Sequence, residues 1–350
     1  MENKDIVLVT GGTGFVAMQI IKQLLQKGFQ VRTTVRNLKN KDKIIAVLKA
    51  NDVTGLDNLS FVVTELTNDH NWEAALKGCK YVLSVASPVF FEKPKNESEA
   101  IRPAVEGILR VLKFASQEGV KRVVMTSNFG AVGFSQTDKT RQTTEMDWTN
   151  PNMKGLSIYE KSKTLAEKAA WDYIKNSKTN LEFTTINAVA IMGPSLNEHI
   201  TGSFMLLENL LNGKMKAVPN IPLNIVDVRD VADLHIRAMI TPAANGQRFI
   251  ASADGQISLP EIAILLKNKR PNVAEKVSSK ILPNWIIKLG AIFNTQAKEG
   301  VVLLNMNRNI SNAKAKNILN WKPIATQETT ILSAVDSMIK YNLINKKYIR

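Results

Sequence analysis

A chain of 350 residues can bury a sizeable core, and 44% apolar against 22% charged residues is globular composition that excludes disorder. A single cysteine, Cys79, excludes an intrachain disulfide framework. The net charge of +15 is dispersed, with no basic tract and no aromatic-interleaved basic stripe, so it excludes no class by itself and gives no specific support to a nucleic-acid partner.

Taken in chain order, short β-rich runs alternate with amphipathic stretches. Strands are predicted at Ile6–Thr10, Gln30–Val35, Leu59–Thr64, Tyr81–Ala86, Arg122–Thr126 and Phe183–Asn187. Helices are predicted near Phe15–Lys27, Asn40–Ala50, Trp72–Lys77, Glu97–Gln117 and Gly155–Asn176. Near-continuous apolar strands separated by helices read as an α/β, doubly wound parallel sheet. From Ala188 the pattern loosens: Pro194, Pro219, Pro222, Pro242, Pro260, Pro271, Pro283 and Pro323 punctuate short helices, with one clear further strand, Arg248–Ala251. This half reads as a smaller, mostly helical lobe, with the substrate expected in the cleft between lobes. No stretch approaches the ~20 apolar residues of a membrane span, and the expectation is a soluble, cytoplasmic protein.

The first strand runs into Gly11-Gly12-Thr13-Gly14-Phe15-Val16-Ala17 and then a helix. Gly11 permits the tight turn, Gly14 lets backbone approach a pyrophosphate, and Ala17 still allows close helix–strand packing. The helix N-terminus offers free N–H groups to phosphates. A Rossmann dinucleotide site is the expectation. The second strand ends Val35-Arg36 with no acid, and Lys39, Lys41 and Lys43 follow. An acid there would accept from a ribose 2′-hydroxyl; Arg36 instead suits a 2′-phosphate, with Lys43 as a second cation. The predicted cofactor is therefore NADP(H), with Gly11, Gly14, Arg36 and Lys43 among its contacts.

Tyr159 and Lys163 stand at i and i+4, on one helix face. Such a pair is expected about 0.5 times by chance in this composition, so position must support it. It opens the helix after the fifth strand, downstream of Thr126-Ser127-Asn128 and well behind the phosphate loop. Hydride transfer to a carbonyl leaves charge developing on oxygen, which calls for a proton donor. A phenol is a sluggish donor at neutral pH, and an adjacent ammonium lowers its pKa. Lys163 can also hydrogen-bond a nicotinamide ribose.

Together the Thr10–Ala17 loop, Val85-Ala86-Ser87-Pro88, Thr126-Ser127-Asn128, Tyr159-x-x-x-Lys163, Val226–Ala232 and Leu319–Pro323 resemble an extended short-chain dehydrogenase/reductase of the NAD-dependent epimerase/dehydratase superfamily. Val31–Arg36, Pro103–Gly107 and Lys163–Trp171 are similar to the dihydroflavonol-4-reductase-like group of aldehyde and ketone reductases. The resemblance covers nearly the whole chain. It implies NADPH contacts from Thr13, Phe15, Val16, Arg36, Lys43, Glu65, Leu66, Val85, Ala86, Ser87, Tyr159 and Lys163. It also implies a dinucleotide-binding domain of residues 1–187 plus about 223–252, and a substrate lobe of about 188–222 plus 253–350. Three positions depart from the pattern. Asn128 stands where the family's catalytic Ser is expected, Glu65 replaces an Asp, and Ala188 replaces a Pro. By strand alternation Ser127 should face away from Asn128, whose amide can still donate to a carbonyl oxygen.

The expected activity is NADPH-dependent reduction of an aldehyde, ketone or β-keto ester, by a monomer or homodimer without nucleic-acid or membrane partners. Two alternatives stay open: a nucleotide-sugar epimerase or dehydratase with bound NAD, and a non-catalytic NADP-binding redox sensor. His70, His199 and His235 show no metal-ligand spacing, and no Gly-x-Ser-x-Gly elbow supports a hydrolase. Asp227, Asp230 and Asp233 read as acids at a helix start. Phe90, Phe91, Trp148, Met153, Met192, Phe204 and Met205 are candidates for the cleft wall, with core packing as the alternative.

Overall fold

The computed structural model describes residues 3–87, 96–199 and 202–344. Its first half alternates β1 (Asn3–Val9), α1 (Phe15–Gln26), β2 (Phe29–Val35), α2 (Asn40–Lys49), β3 (Leu59–Val63), α3 (Trp72–Leu76) and β4 (Cys79–Ser84). There follow α4 (Glu97–Gln117), β5 (Arg122–Asn128), α5 (Ile158–Asn176) and β6 (Glu182–Ala188). The second half contains β7 (Ala190–Met192), α6 (Gly202–Leu211), β8 (Val218–Pro219), β9 (Pro222–Leu223), β10 (Ile225–Asp227) and α7 (Val228–Ile240). It continues with β11 (Arg248–Ala251), β12 (Ile257–Ser258), α8 (Leu259–Lys269) and β13 (Ile281–Leu282). Four helices close it: α9 (Asn284–Gly290), α10 (Thr295–Asn305), α11 (Ala313–Leu319) and α12 (Gln327–Lys340).

Seven strands form one sheet in the order β11-β6-β5-β4-β1-β2-β3, with every neighbouring pair parallel. The order reverses between β1 and β4, so the loops leaving these two strands diverge and open a crevice at their carboxyl ends. Alternation along β1 builds both faces of the core. Val7 and Val9 join one cluster with α1 and α7, and Leu8 joins the other with Trp72 and residues of α4 and α5. All three are fully buried, and each such aliphatic side chain contributes roughly 1.5–3 kcal/mol relative to exposure. Buried Arg122, at the start of β5, donates to Ala238 O at 2.7 Å and Thr241 O at 2.6 Å, tying the sheet to the carbonyl end of α7.

The predicted parallel sheet and the first-half elements stand, with ends shifted by at most three residues. The predicted fourth strand stops at Ser84 rather than Ala86, because the Val85 and Ala86 N–H groups turn to the Thr10 hydroxyl, each at 2.9 Å. The helix expected from Gly155 begins at Ile158: Gly155 holds φ +83, and the Ser157 hydroxyl caps the helix by accepting from Glu160 N–H. A second correction concerns the later half, where one further strand was expected. Six more occur there, paired β7 with β10, β9 with β12 and β8 with β13. Each is two or three residues long, too short to leave an alternating pattern.

Candidate active site

The carboxyl ends of the parallel strands gather most of the predicted site residues. At the end of β1, Gly11 adopts φ +73, and its N–H donates to Thr34 Oγ1 at 2.8 Å. An added Cβ there would lie 3.0 Å from Ala86 Cβ, and one on Gly12 would lie 2.4 Å from Thr33 Oγ1. The loop is therefore pressed against the ends of β2 and β4 and admits no side chain at either position. Gly14 N–H closes the turn on Gly11 O at 2.9 Å. As N-cap of α1, Gly14 brings no side-chain acceptor, and the first turn carries no acid, so the helix N-terminus presents free N–H groups. Thr13 is exposed at the rim, whereas Phe15 and Val16 are buried at the base of the helix.

Arg36, at the end of β2, and Lys43, on α2, are exposed and have no carboxylate partner among the described residues. Glu65 and Leu66 follow β3, half-buried; the Glu65 carbonyl accepts from Trp72 Nε1 at 3.0 Å. Val85, Ala86 and Ser87 follow β4. A small cavity of about 20 Å³ is lined by Leu66, Ala86, Ser87, Thr126 and Lys163, which joins the strand ends to α5. A far larger groove of about 1030 Å³ lies between α1, α7 and α12 and contains no predicted site residue. Size does not choose the site here; the convergence of strand ends, loop and titratable groups does.

Tyr159 and Lys163 occupy the first two turns of α5, with Lys163 Nζ 5.9 Å from the Tyr159 ring centroid. Tyr159 keeps 43% of its surface exposed. Protein nonetheless crowds its hydroxyl: burial pushes the phenol up to about 12, the Glu160 charge adds to that, and a hydrogen bond from the Asn128 side chain opposes it. The downward influence on the hydroxyl thus comes from Asn128, while Lys163 lies over the ring. Lys163 is buried, and desolvation pulls its ammonium down to about 8, against the charge of Glu167.

Asn128 and Ser127 point to opposite sides of β5. Asn128 meets Tyr159, and its Oδ1 is buried with no hydrogen-bond partner. The Ser127 hydroxyl donates to Glu167 Oε2 at 2.5 Å, on the side away from the cleft. Two neighbours shape this corner without having been expected from the sequence. Gly130 must lack a side chain, since a Cβ would sit 2.7 Å from Asn128 Oδ1 and 2.8 Å from Glu160 Cγ. Glu160 is raised to about 7 by burial, with Glu299 of α10 adding repulsion. Neither residue belongs to a spacing that sequence periodicity detects. Ala188, at the end of β6, is buried beside Asn128 in the strand register.

The remaining candidates disperse. Fully buried His235 lies 2.7 Å from Val231 O through Nδ1 and 2.7 Å from Thr126 Oγ1 through Nε2. Asp227 caps α7, Asp230 accepts from Trp321 Nε1 and Ile324 N–H, and Asp233 pairs with Arg237. Met192 and Phe204 are core residues, Trp148 lies under the Arg248 guanidinium, Met153 is half-buried, and Met205 is exposed. Phe90 and Phe91 lie outside the described residues. Among the described residues no group of three or more His, Cys, Asp or Glu could hold a metal ion, and no helix is long and apolar enough to cross a membrane.

Comparison with known proteins identifies the family. Anthocyanidin reductase of Vitis vinifera is 34% identical over 283 residues, 77% of this chain and 82% of that protein. A putative NADPH-dependent methylglyoxal reductase of Candida albicans is 33% identical over 295 residues, 78% of this chain and 85% of its own. The crystal structure of Gre2 from Candida albicans with NADPH superposes with a TM-score of 0.79 at 27% identity, covering 96% of this chain and 99% of that one. The model of the 3-beta hydroxysteroid dehydrogenase/isomerase family matches residues 8–254. The chain belongs to that family and, within the extended short-chain dehydrogenases/reductases, to the dihydroflavonol-4-reductase-like group.

Proposed function

We propose that this protein is an NADPH-dependent reductase of aldehydes, ketones or β-keto esters in which Tyr159 donates the proton. The observation that carries the reading is the meeting of Asn128, Tyr159 and Lys163 at the same edge of the sheet as the glycine loop. The residues present fit the dinucleotide. The loop around Gly11 and Gly12 has no room for Cβ atoms, and the uncapped start of α1 leaves N–H groups for a pyrophosphate. Arg36 and Lys43, without a carboxylate partner among the described residues, would take the 2′-phosphate. Thr13, Phe15 and Val16 would flank the pyrophosphate, Glu65 and Leu66 the adenine, and Val85, Ala86 and Ser87 the nicotinamide half. Bound there, the cofactor supplies hydride to the carbonyl carbon.

The chain's own groups do the rest. As charge develops on the carbonyl oxygen, the Tyr159 hydroxyl gives up its proton to it. Asn128, whose side chain already favours the ionised form of that hydroxyl, stabilises the phenolate that remains. Lys163 at about 8 retains enough of its ammonium near neutrality to favour the same anion and to bond the nicotinamide ribose. The lobe formed by about 188–222 and 253–350 would supply the substrate side of the cleft. The relatives support this reading through their names, as reductases. The test is NADPH oxidation against aldehydes, diketones, β-keto esters and flavanonols, with Tyr159→Phe as control. Wild-type turnover that falls at least about 10²-fold in the variant is expected; equal rates refute the role of Tyr159.

A further inference from the structure

Glu167 lies one helical turn beyond Lys163 on α5 and is fully buried. A carboxylate so placed is unfavourable unless its oxygens are met. Ser127 Oγ and Asn187 Nδ2 donate to Oε2 at 2.5 and 2.7 Å. Arg248 Nε and Trp171 Nε1 donate to Oε1 at 2.7 and 3.2 Å, and Thr185 Oγ1 lies 3.1 Å from it. These partners come from β5, β6, β11 and α5 itself. Asn187 Nδ2 also lies 3.3 Å from Asn128 O, so one carboxylate is tied to both arms of the site, the strand end that carries Asn128 and the helix that carries Tyr159 and Lys163.

The electrostatics run the same way. Arg248 Nη1 donates to Glu145 O and Asp147 O, each at 2.8 Å, Nη2 donates to Ala131 O at 3.4 Å, and the guanidinium stacks on Trp148. Lys163 receives the field of Glu167, whose charge opposes the burial that draws its ammonium down. From β4, α4 and β5 the lysine cavity presents Ser84, Ala104, Ile108, Met125 and Thr126, none of them charged. His235 behind Thr126 is held neutral by burial.

We propose that Glu167 is a positioning residue for the reaction, a buried counter-charge that keeps Lys163 protonated while anchoring the strand end that carries Asn128. This rests on the reading of Tyr159 and Lys163 given above. The test follows Lys163 directly, in the protein without substrate. Lysine side chains labelled with ¹³C are titrated by NMR, and the Lys163 signal is the one missing from Lys163→Met. In Glu167→Gln its midpoint is expected to fall by about one pH unit, and the alkaline limb of kcat/KM should move down with it. A folded variant with an unmoved midpoint overturns the proposal.

Loss of the buried charge leaves Arg248 unpaired, so Glu167→Gln can fail to fold. The double replacement Glu167→Met with Arg248→Met removes the pair together, and the midpoint should still fall, by less than in Glu167→Gln because the Arg248 cation is lost with the carboxylate. An unchanged midpoint there overturns the proposal equally. Tyr159→Phe separates the two ideas: full activity in that variant would refute the catalytic reading, whereas the Lys163 titration judges Glu167 without reference to turnover.

Discussion

Adjacent on β5, Ser127 and Asn128 serve opposite sides of the strand: Ser127 donates to buried Glu167, and Asn128 faces the Tyr159 hydroxyl, whose pKa it lowers. Strand alternation forces this division, and it gives the two side chains separable consequences.

Asn128→Ala is expected to lower kcat by roughly 10²-fold, the usual cost of losing one donor to a developing oxyanion. Ser127→Ala should leave kcat within a few-fold and reduce stability by ~1–2 kcal/mol, the effect of removing one partner of a buried hydrogen bond. Steady-state kinetics and urea unfolding of both variants decide the matter; the reverse pattern would give Ser127 the catalytic role.

Arg36 has no carboxylate to neutralise it among the described residues, so its loss should be felt by the 2′-phosphate alone. Arg36→Ala is expected to weaken NADPH binding roughly 10–100-fold, in keeping with ~1.5–3 kcal/mol for charge-assisted hydrogen bonds, with NADH binding little changed. Fluorescence titration of both cofactors measures this. A wild type that binds the two equally well would remove the basis for the assignment.

Gly130→Ala places a methyl group 2.7 Å from Asn128 Oδ1 and 2.8 Å from Glu160 Cγ. Asn128 must turn away from Tyr159 to admit it. We expect kcat to drop about 10-fold or more, since misplacement of a catalytic group by a fraction of an ångström is costly. Circular dichroism melting should change far less than the rate. A fully active variant would show that Asn128 need not hold its present orientation.

His235 links α7 to β5 as a neutral imidazole. The carbonyl of Val231 can only accept, so Nδ1 carries the proton and Nε2 accepts from the Thr126 hydroxyl. Burial lowers its pKa from 6.5 to about 4. The unfolded chain therefore binds a proton more readily than the folded one between those values. Stability from this group is full above about 6.5 and is lost as pH falls toward about 4, by up to ~3 kcal/mol. Urea unfolding at stepped pH should show a steeper acid loss in the wild type than in His235→Gln. Parallel curves would contradict the neutral, buried assignment.

Much of this protein is written locally. The apolar run Val7-Leu8-Val9 before Gly11-Gly12-Thr13-Gly14 specifies a buried strand, a tight turn and an uncapped helix start from neighbouring residues alone. Arg36 at the end of β2, Tyr159 and Lys163 one turn apart, and the opposed faces of Ser127 and Asn128 follow from the same short-range periodicities.

Tertiary structure decided what periodicity cannot carry. The later strands pair in ladders of two or three residues, below the length at which alternation registers. Glu167 sits beside Lys163 in an exposed-looking run of lysines and glutamates, yet only the packing of β5, β6 and β11 buries it and assembles its donors. The same holds for Gly130, whose missing side chain matters because Asn128 and Glu160 converge on it from separate elements. Charge, burial and close approach between distant segments are properties of the folded chain, because each depends on which surfaces the sheet order brings face to face.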